Sequence, residues 1–198
     1  MPHLSGVFEE FPDLEKVSIE EIEALLSAKL EIHSLVNFLG NRILYPQAIS
    51  TSKKELEIDL AILRFGAKAR PGLFYEPQSN RILIPDRFAK RFPDLPLLLK
   101  AIVEGINPKG VHFVFIKDQA QLRLIGSVVS PISPQKLSTD GKIVQFTGLA
   151  ITKPLPLGAV SFISTPSKAA RIRLGTEEFD SAGGEAGIII DLRMGGFV

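Results

Sequence analysis

The stretch LPLLLKAIVEGINPKGVHFVFI, residues 95–116, decides the fold class. Its first half is apolar almost all round, the pattern of a helix buried in a core. Asp94 stands at the N-cap position, and Pro96 falls in the first turn, where a missing N–H does no harm. Gly105 is expected to stop this helix, and Asn107-Pro108 to prevent its continuation. Val111 to Ile116 then runs apolar without a break, as a strand covered on both faces does. Helix, short loop and buried strand together make an α/β unit.

Upstream of this unit the chain reads as helical. Ser18 and Glu21 have the spacing of a capping box, and Ile22, Leu25, Leu26 and Leu30 follow at helical intervals. A second apolar stretch runs from Ile32 to Leu39 and is expected to end at Gly40, with Tyr45-Pro46 as an extended connector. Ser52 and Glu55 repeat the capping spacing and open a third helix. Leu56, Leu60, Leu63 and Ala67 line its apolar face, and Gly66 weakens its last turn. Leu73-Phe74-Tyr75 and Arg81 to Ile84 are short and apolar, and fit either a hairpin or two separate strands.

Downstream the chain reads as β only. Leu124–Val129, Ile143–Phe146, Leu149–Thr152, Ala159–Ile163, Arg171–Leu174 and Gly187–Asp191 are candidate strands. Turn signals separate them at Asp140-Gly141, Gly148, Pro154 to Gly158, Thr165-Pro166 and Gly183-Gly184. Short strands at this spacing suggest a small barrel or sandwich. The expected fold class is therefore α+β. N-terminal helices and a small α/β unit occupy residues 1–120, and an all-β barrel or sandwich occupies residues 121–198.

Hydrophobic residues are 45% of the 198 and charged residues 23%, a balance that supports a globular core. The chain has no cysteine, which excludes a disulfide framework, a thiolate metal site and a cysteine nucleophile together. No secretory signal pattern opens the sequence, and no apolar run approaches the roughly 20 residues that span a bilayer. A cytoplasmic location is expected. The net charge of +1 conceals an asymmetry. Residues 1–60 hold 11 acids and 5 bases, whereas residues 61–198 hold 11 acids and 18 bases. The two parts can attract each other or face different partners.

The motifs that carry chemistry are sparse. His3, His33 and His112 lie far apart, and no pair has the i, i+4 spacing of a helical metal site. Gly183-Gly184-Glu185-Ala186-Gly187 leads into a strand rather than a helix, so it reads as a tight hairpin and not as a phosphate cradle. Asp118 and Asp191 each end an apolar strand, a position common to active sites and to loop caps. Residues 64–91 hold Arg64, Lys68, Arg70, Arg81, Arg87, Lys90 and Arg91, with Phe74, Tyr75, Phe88 and Phe92 nearby. Such a cluster can bind single-stranded nucleic acid through phosphate contacts and stacking, or can be a solvated surface over core aromatics. No catalytic, cofactor-binding or metal-ligating set is assigned, and no cofactor is expected.

Several segments, taken in order, resemble one family. FPDLEK (11–16), SIEEIEALL (18–26), NRILYP (41–46) and Ser52 to Arg64 are followed by LPLLLKAIVEGINPKGVHFVFIKD (95–118), IGSVVSP (125–131) and GGEAGIIIDLR (183–193). This collinear set resembles the C-terminal region of the glutamate mutase accessory (MutL/GlmL) family, which is distinct from the mismatch-repair protein of similar name. The resemblance implies an actin/Hsp70-type ATPase scaffold linked to adenosylcobalamin-dependent mutases, whose accessory proteins drive exchange of damaged cofactor. The family's glycine-rich nucleotide segment corresponds here to RILIPDRFAKRFPD (81–94), which lacks the paired glycines. Autonomous ATP hydrolysis is therefore not expected. What is expected is a non-catalytic accessory or protein-binding module, its partner a mutase subunit or a separate ATPase half. The alternatives are a nucleic-acid-binding module using residues 64–91, and an enzyme resting on Asp118 and Asp191.

Overall fold

A computed structural model describes residues 19–26, 31–45, 48–92, 94–119, 121–130, 142–146, 149–154, 158–165, 170–174 and 177–193. The described residues form five α-helices, α1 (Ile19–Glu23), α2 (Ile32–Leu44), α3 (Lys53–Ala69), α4 (Asp86–Arg91) and α5 (Leu95–Ile106). Strands β1 (Tyr75–Glu76) and β2 (Arg81–Pro85) lie between α3 and α4. After α5 come β3 (Gly110–Lys117), β4 (Leu122–Ser130), β5 (Lys142–Phe146), β6 (Leu149–Pro154), β7 (Val160–Thr165), β8 (Ala170–Leu174), β9 (Glu177–Ser181) and β10 (Gly184–Asp191).

Local chemistry explains the helix starts. Ser52 Oγ accepts from the Glu55 N–H at 3.2 Å, and the Glu55 carboxylate reaches back to the Thr51 N–H at 2.6 Å. That reciprocal pattern satisfies two donors at the opening of α3. The bond from the Thr51 N–H, with a second from the Thr51 hydroxyl, holds the Glu55 carboxyl below its ordinary pKa. Asp94 Oδ1 accepts from the Leu97 N–H at 3.0 Å and opens α5 as expected. Ser18 lies outside the described residues.

The expected helix stops are displaced. Gly40 sits inside α2, which continues to Leu44. Gly105 sits inside α5, which ends one residue later with Asn107 in the left-handed region at φ 49°. Gly105 is needed for another reason. A Cβ there would stand 2.5 Å from the Arg64 carbonyl oxygen and 2.7 Å from Ala67 Cβ. The glycine lets α5 lie directly against α3. The buried face of α3 is also turned from the expected one: Ile58, Ala61, Ile62, Leu63 and Ala67 are buried, while Leu56 and Leu60 are only partly so.

One sheet organises the molecule. Its strand order is β1-β2-β3-β4-β10-β7, open at both ends. The β1–β2 pair is the hairpin, turned through Pro77–Ser79 with Asn80 left-handed at φ 52°. β2 runs parallel to β3, across α4 and α5; β3 and β4 are antiparallel; β4 and β10 are parallel; β10 and β7 are antiparallel. Of the barrel or sandwich expected over residues 121–198, a closed barrel does not form. β4, β7 and β10 join the earlier strands instead, while β5–β6 and β8–β9 remain two-stranded pairs. Strands from both sides of residue 120 thus share a single ladder.

The expected hairpin at Gly183-Gly184 is also corrected. β9 pairs with β8, and the chain then enters the sheet between β4 and β7 as β10. Gly187 there has φ 61° and marks an irregularity in the pairing with β7. A side chain at Gly187 would strike the Ile163 carbonyl, and one at Gly126 would strike the Gly187 carbonyl. These glycines let three backbones close up.

The helices cover one face of the sheet. Ile82, Ile84, Val114, Ile116, Ile125, Val128 and Ile189 pack there with Leu35, Leu39, Ile62, Leu63, Leu99 and Ile102. The opposite face is divided. One half, around Val129, Ile163, Ile188 and Ile190, packs with Phe179 of β9.

Candidate functional site

The other half of the second face is open. Phe115 stands directly opposite Leu124, Lys117 opposite Leu122, and Arg81 opposite Phe113. Opposite residues share a face, and so do residues two apart on one strand. All six side chains therefore form one contiguous surface. Its position on β4 is set by a register shift: Val114 pairs with Gly126, but Phe115 pairs with Leu124, so Ile125 is the extra residue and turns into the core. Phe113, Leu122 and Leu124 are 37%, 46% and 43% exposed, large values for apolar side chains in the middle of a sheet. The Arg81 guanidinium lies 5.7 Å from the Phe115 ring centroid.

Two buried polar centres brace the scaffold. In the first, Asp59 on α3 is fully buried and accepts from Arg42 on α2 (2.8 and 3.2 Å), Arg91 on α4 (3.2 Å) and Ser50 Oγ (2.6 Å). Arg42 also donates to the Ala48 carbonyl at 2.7 Å. One carboxylate thus ties two helices and the 48–50 segment to α3. In the second, Asp191 at the end of β10 receives a two-point contact from Arg193. Burial lowers the pKa of Lys109 nearby, with the Arg193 charge acting in the same direction and Asp191 opposing it. Sequence reading assigned no role to Asp59, Arg42 or Arg193. Their types are ordinary surface types, and only the fold brings them together.

Asp118 and Asp191 do not share a cleft. β3 is antiparallel to β4 and β4 parallel to β10, so the two strands end at opposite edges. The length of β4 separates them, about 25 Å or more at ~3.3 Å per residue. Asp118 closes the β3–β4 turn: its N–H donates to the Gln121 carbonyl, and Oδ1 accepts from the Gln119 N–H. Both aspartates act as caps.

His112 is buried on β3, with Nε2 2.8 Å from the Lys109 carbonyl oxygen and its ring edge-on to Tyr75 at 5.1 Å. Burial depresses its pKa. His33 is exposed on α2, and His3 lies outside the described residues. Among the described residues, no group of three or more metal-ligating side chains could hold an ion. No helix among them is long and apolar enough to cross a membrane.

The basic stretch 64–91 divides into separate uses. Arg64 pairs with Glu104 at 3.3 Å, Lys90 with Asp86 at 2.5 Å, and Arg91 with Asp59. Phe74, Phe88 and Phe92 are core residues at 0–2% exposure, so they offer no face for a base to stack on. The segment RILIPDRFAKR is β2 followed by α4, without a loop between them. A depression of about 490 Å³ beside Asp94, Leu95, Pro96 and Glu185 is wide open to solvent. Compared with protein-family models, curated proteins and solved structures, the chain finds no match.

Proposed function

We propose that this chain is a non-catalytic, cytoplasmic accessory module that works by binding another protein. It is related to the C-terminal part of the glutamate mutase accessory family and assists a cobalamin-dependent mutase through a mutase subunit or a separate ATPase half. The observation that carries the binding role is the open sheet surface of Phe113, Phe115, Leu122 and Leu124. Clustered apolar exposure on a sheet whose opposite face is fully packed marks a docking surface. The segments that resemble the family at 95–118, 125–131 and 183–193 supply α5, β3, β4 and β10, which are neighbours in the fold.

Sedimentation velocity of the chain mixed with purified adenosylcobalamin-dependent mutase subunits tests the assignment. A complex that is lost on Leu124→Asp supports it. Absence of any complex counts against the mutase link, and tight binding of Mg·ATP in calorimetry overturns the non-catalytic reading.

A further inference from the structure

We propose that the open half of the second sheet face receives an acidic amphipathic helix from another protein. Its apolar side chains sit on Phe113, Leu122 and Leu124, and its carboxylates reach Arg81 and Lys117. This deepens the protein-binding reading above and rests on it.

The occupant's secondary structure follows from the backbone. β3 lies between β2 and β4, and β4 between β3 and β10, so the peptide groups of both strands are spent on ladder hydrogen bonds. A partner laid over their side chains finds no donors or acceptors for its own backbone. A single extended segment would leave its peptide groups unpaired there, and β9 on the other half of this face is itself paired with β8; a lone helix satisfies its peptide groups internally, and helices already cover the opposite face of this sheet.

The occupant's charge follows from the rim. Arg81 and Lys117 flank the apolar cluster, and both are exposed. Neither has a carboxylate within 4 Å among the described residues, whereas Arg123 pairs with Glu185, Arg171 with Asp180 and Lys90 with Asp86. Glu76 stands across from Arg81 on β1 but accepts from the Ser79 hydroxyl at 2.9 Å, so two cations without an ion-pair partner lie beside exposed Phe and Leu side chains and complement a helix with Asp or Glu flanking its apolar stripe. A basic segment would meet repulsion on both sides.

The test is selection of random 16-residue peptides displayed on phage against the full chain, followed by fluorescence anisotropy on synthesised winners. The expected winners are acidic, carry apolar residues at i, i+3 or i+4, and i+7, and lose at least tenfold in affinity on Leu124→Asp or Leu122→Asp. Both leucines are solvent-facing, so unchanged thermal unfolding verifies that the variants fold. The Arg81→Glu/Lys117→Glu double variant is expected to weaken the same peptides at least tenfold, and replacing the peptide's Glu by Lys to restore binding. Winners that are neutral or basic yet still depend on Leu124 would overturn the acidic partner and leave the binding role standing. Winners indifferent to Leu124 and Leu122, or no winners at all, overturn both. A self-associated dimer dispersed by Leu124→Asp would show a second copy to be the occupant and also overturn the proposal.

Discussion

Arg193 grips Asp191 through two parallel hydrogen bonds, Nε to Oδ1 at 2.9 Å and Nη2 to Oδ2 at 2.7 Å. The same guanidinium donates to the Glu104 and Val103 carbonyl oxygens, each at 3.0 Å. The Glu104 carbonyl lies in the last turn, where carbonyls lack intrahelical partners, while the Val103 carbonyl also accepts from the Asn107 N–H at 2.9 Å; a cation there also opposes the negative end of the helix dipole. The pair therefore fastens the end of α5 to the end of β10. Arg193→Ala leaves a carboxylate that is 2% exposed without its partner. The expected loss is about 3 kcal/mol, read as a lower urea midpoint at unchanged slope. Arg193→Lys keeps the charge but not the fork, and is expected to recover only part of that loss.

The cluster around Asp59 predicts coupled effects. Asp59→Ala strands two arginine side chains that are 5% and 11% exposed, and is expected to cost about 3–5 kcal/mol. Arg42→Met removes the contacts to Asp59, Ala48 and Ser50 together and is expected to cost about 3–5 kcal/mol. A double variant Arg42→Met/Asp59→Leu should be less damaging than the sum of the single changes, and chemical denaturation of the full cycle measures that coupling.

Two helix glycines should respond with opposite signs. Gly40→Ala meets nothing within 4 Å and gains helix propensity, for an expected stabilisation of roughly 0.5–1 kcal/mol. Gly105→Ala drives a methyl into the backbone of α3 and is expected to destabilise by about 1–3 kcal/mol. Thermal unfolding of both variants side by side checks the pair. A stabilised Gly105→Ala would show that α3 and α5 are not in direct contact.

His112 gives a pH signature. Its folded pKa lies below the ordinary value because burial disfavours the imidazolium. Below the unfolded pKa, near 6.5, the unfolded chain binds a proton that the folded chain refuses. The His112 contribution is therefore present above that value and is lost as pH falls through the lower folded pKa. His112→Gln is expected to flatten the decline in stability between pH 7.5 and 5.5. Denaturant titrations at both pH values read the difference, and NMR titration of the imidazole gives the folded pKa directly.

Helices with local start signals were legible in the chain. Ser52 with Glu55, and Asp94 with Pro96, announce their starts through groups adjacent in sequence. The strands from Leu124 to Asp191 were also visible, except β9, whose EEFDS pattern carries too little apolar character to read as one. The sheet order was not legible. It depends on β4 pairing with β10 across a long intervening segment, and no local residue specifies that choice. Gly40 and Gly105 show a related limit: a glycine signals conformational freedom, but only packing shows whether it ends a helix or admits a neighbour. The open surface was hidden because VHFVFI reads as uniformly apolar. The structure splits it into His112, Val114 and Ile116 toward the helices, and Phe113 and Phe115 away from them.

The insertion of β10 between β4 and β7 bears on how the chain is made. Among the described residues, the strand that joins β4 to β7 follows every other strand in sequence. During synthesis the helices and β1 to β4 leave the ribosome first, and β4 then presents an unpaired edge beside Ile125, Val128 and Val129. Such an intermediate is prone to aggregate, because exposed ladder groups and apolar side chains recruit other strands. Docking of β10 must wait for a long loop to close, which places this chain among the slower-folding topologies. A nascent chain stalled before Gly184 should therefore be a strong client for holdase chaperones, and release of the last strand should free it.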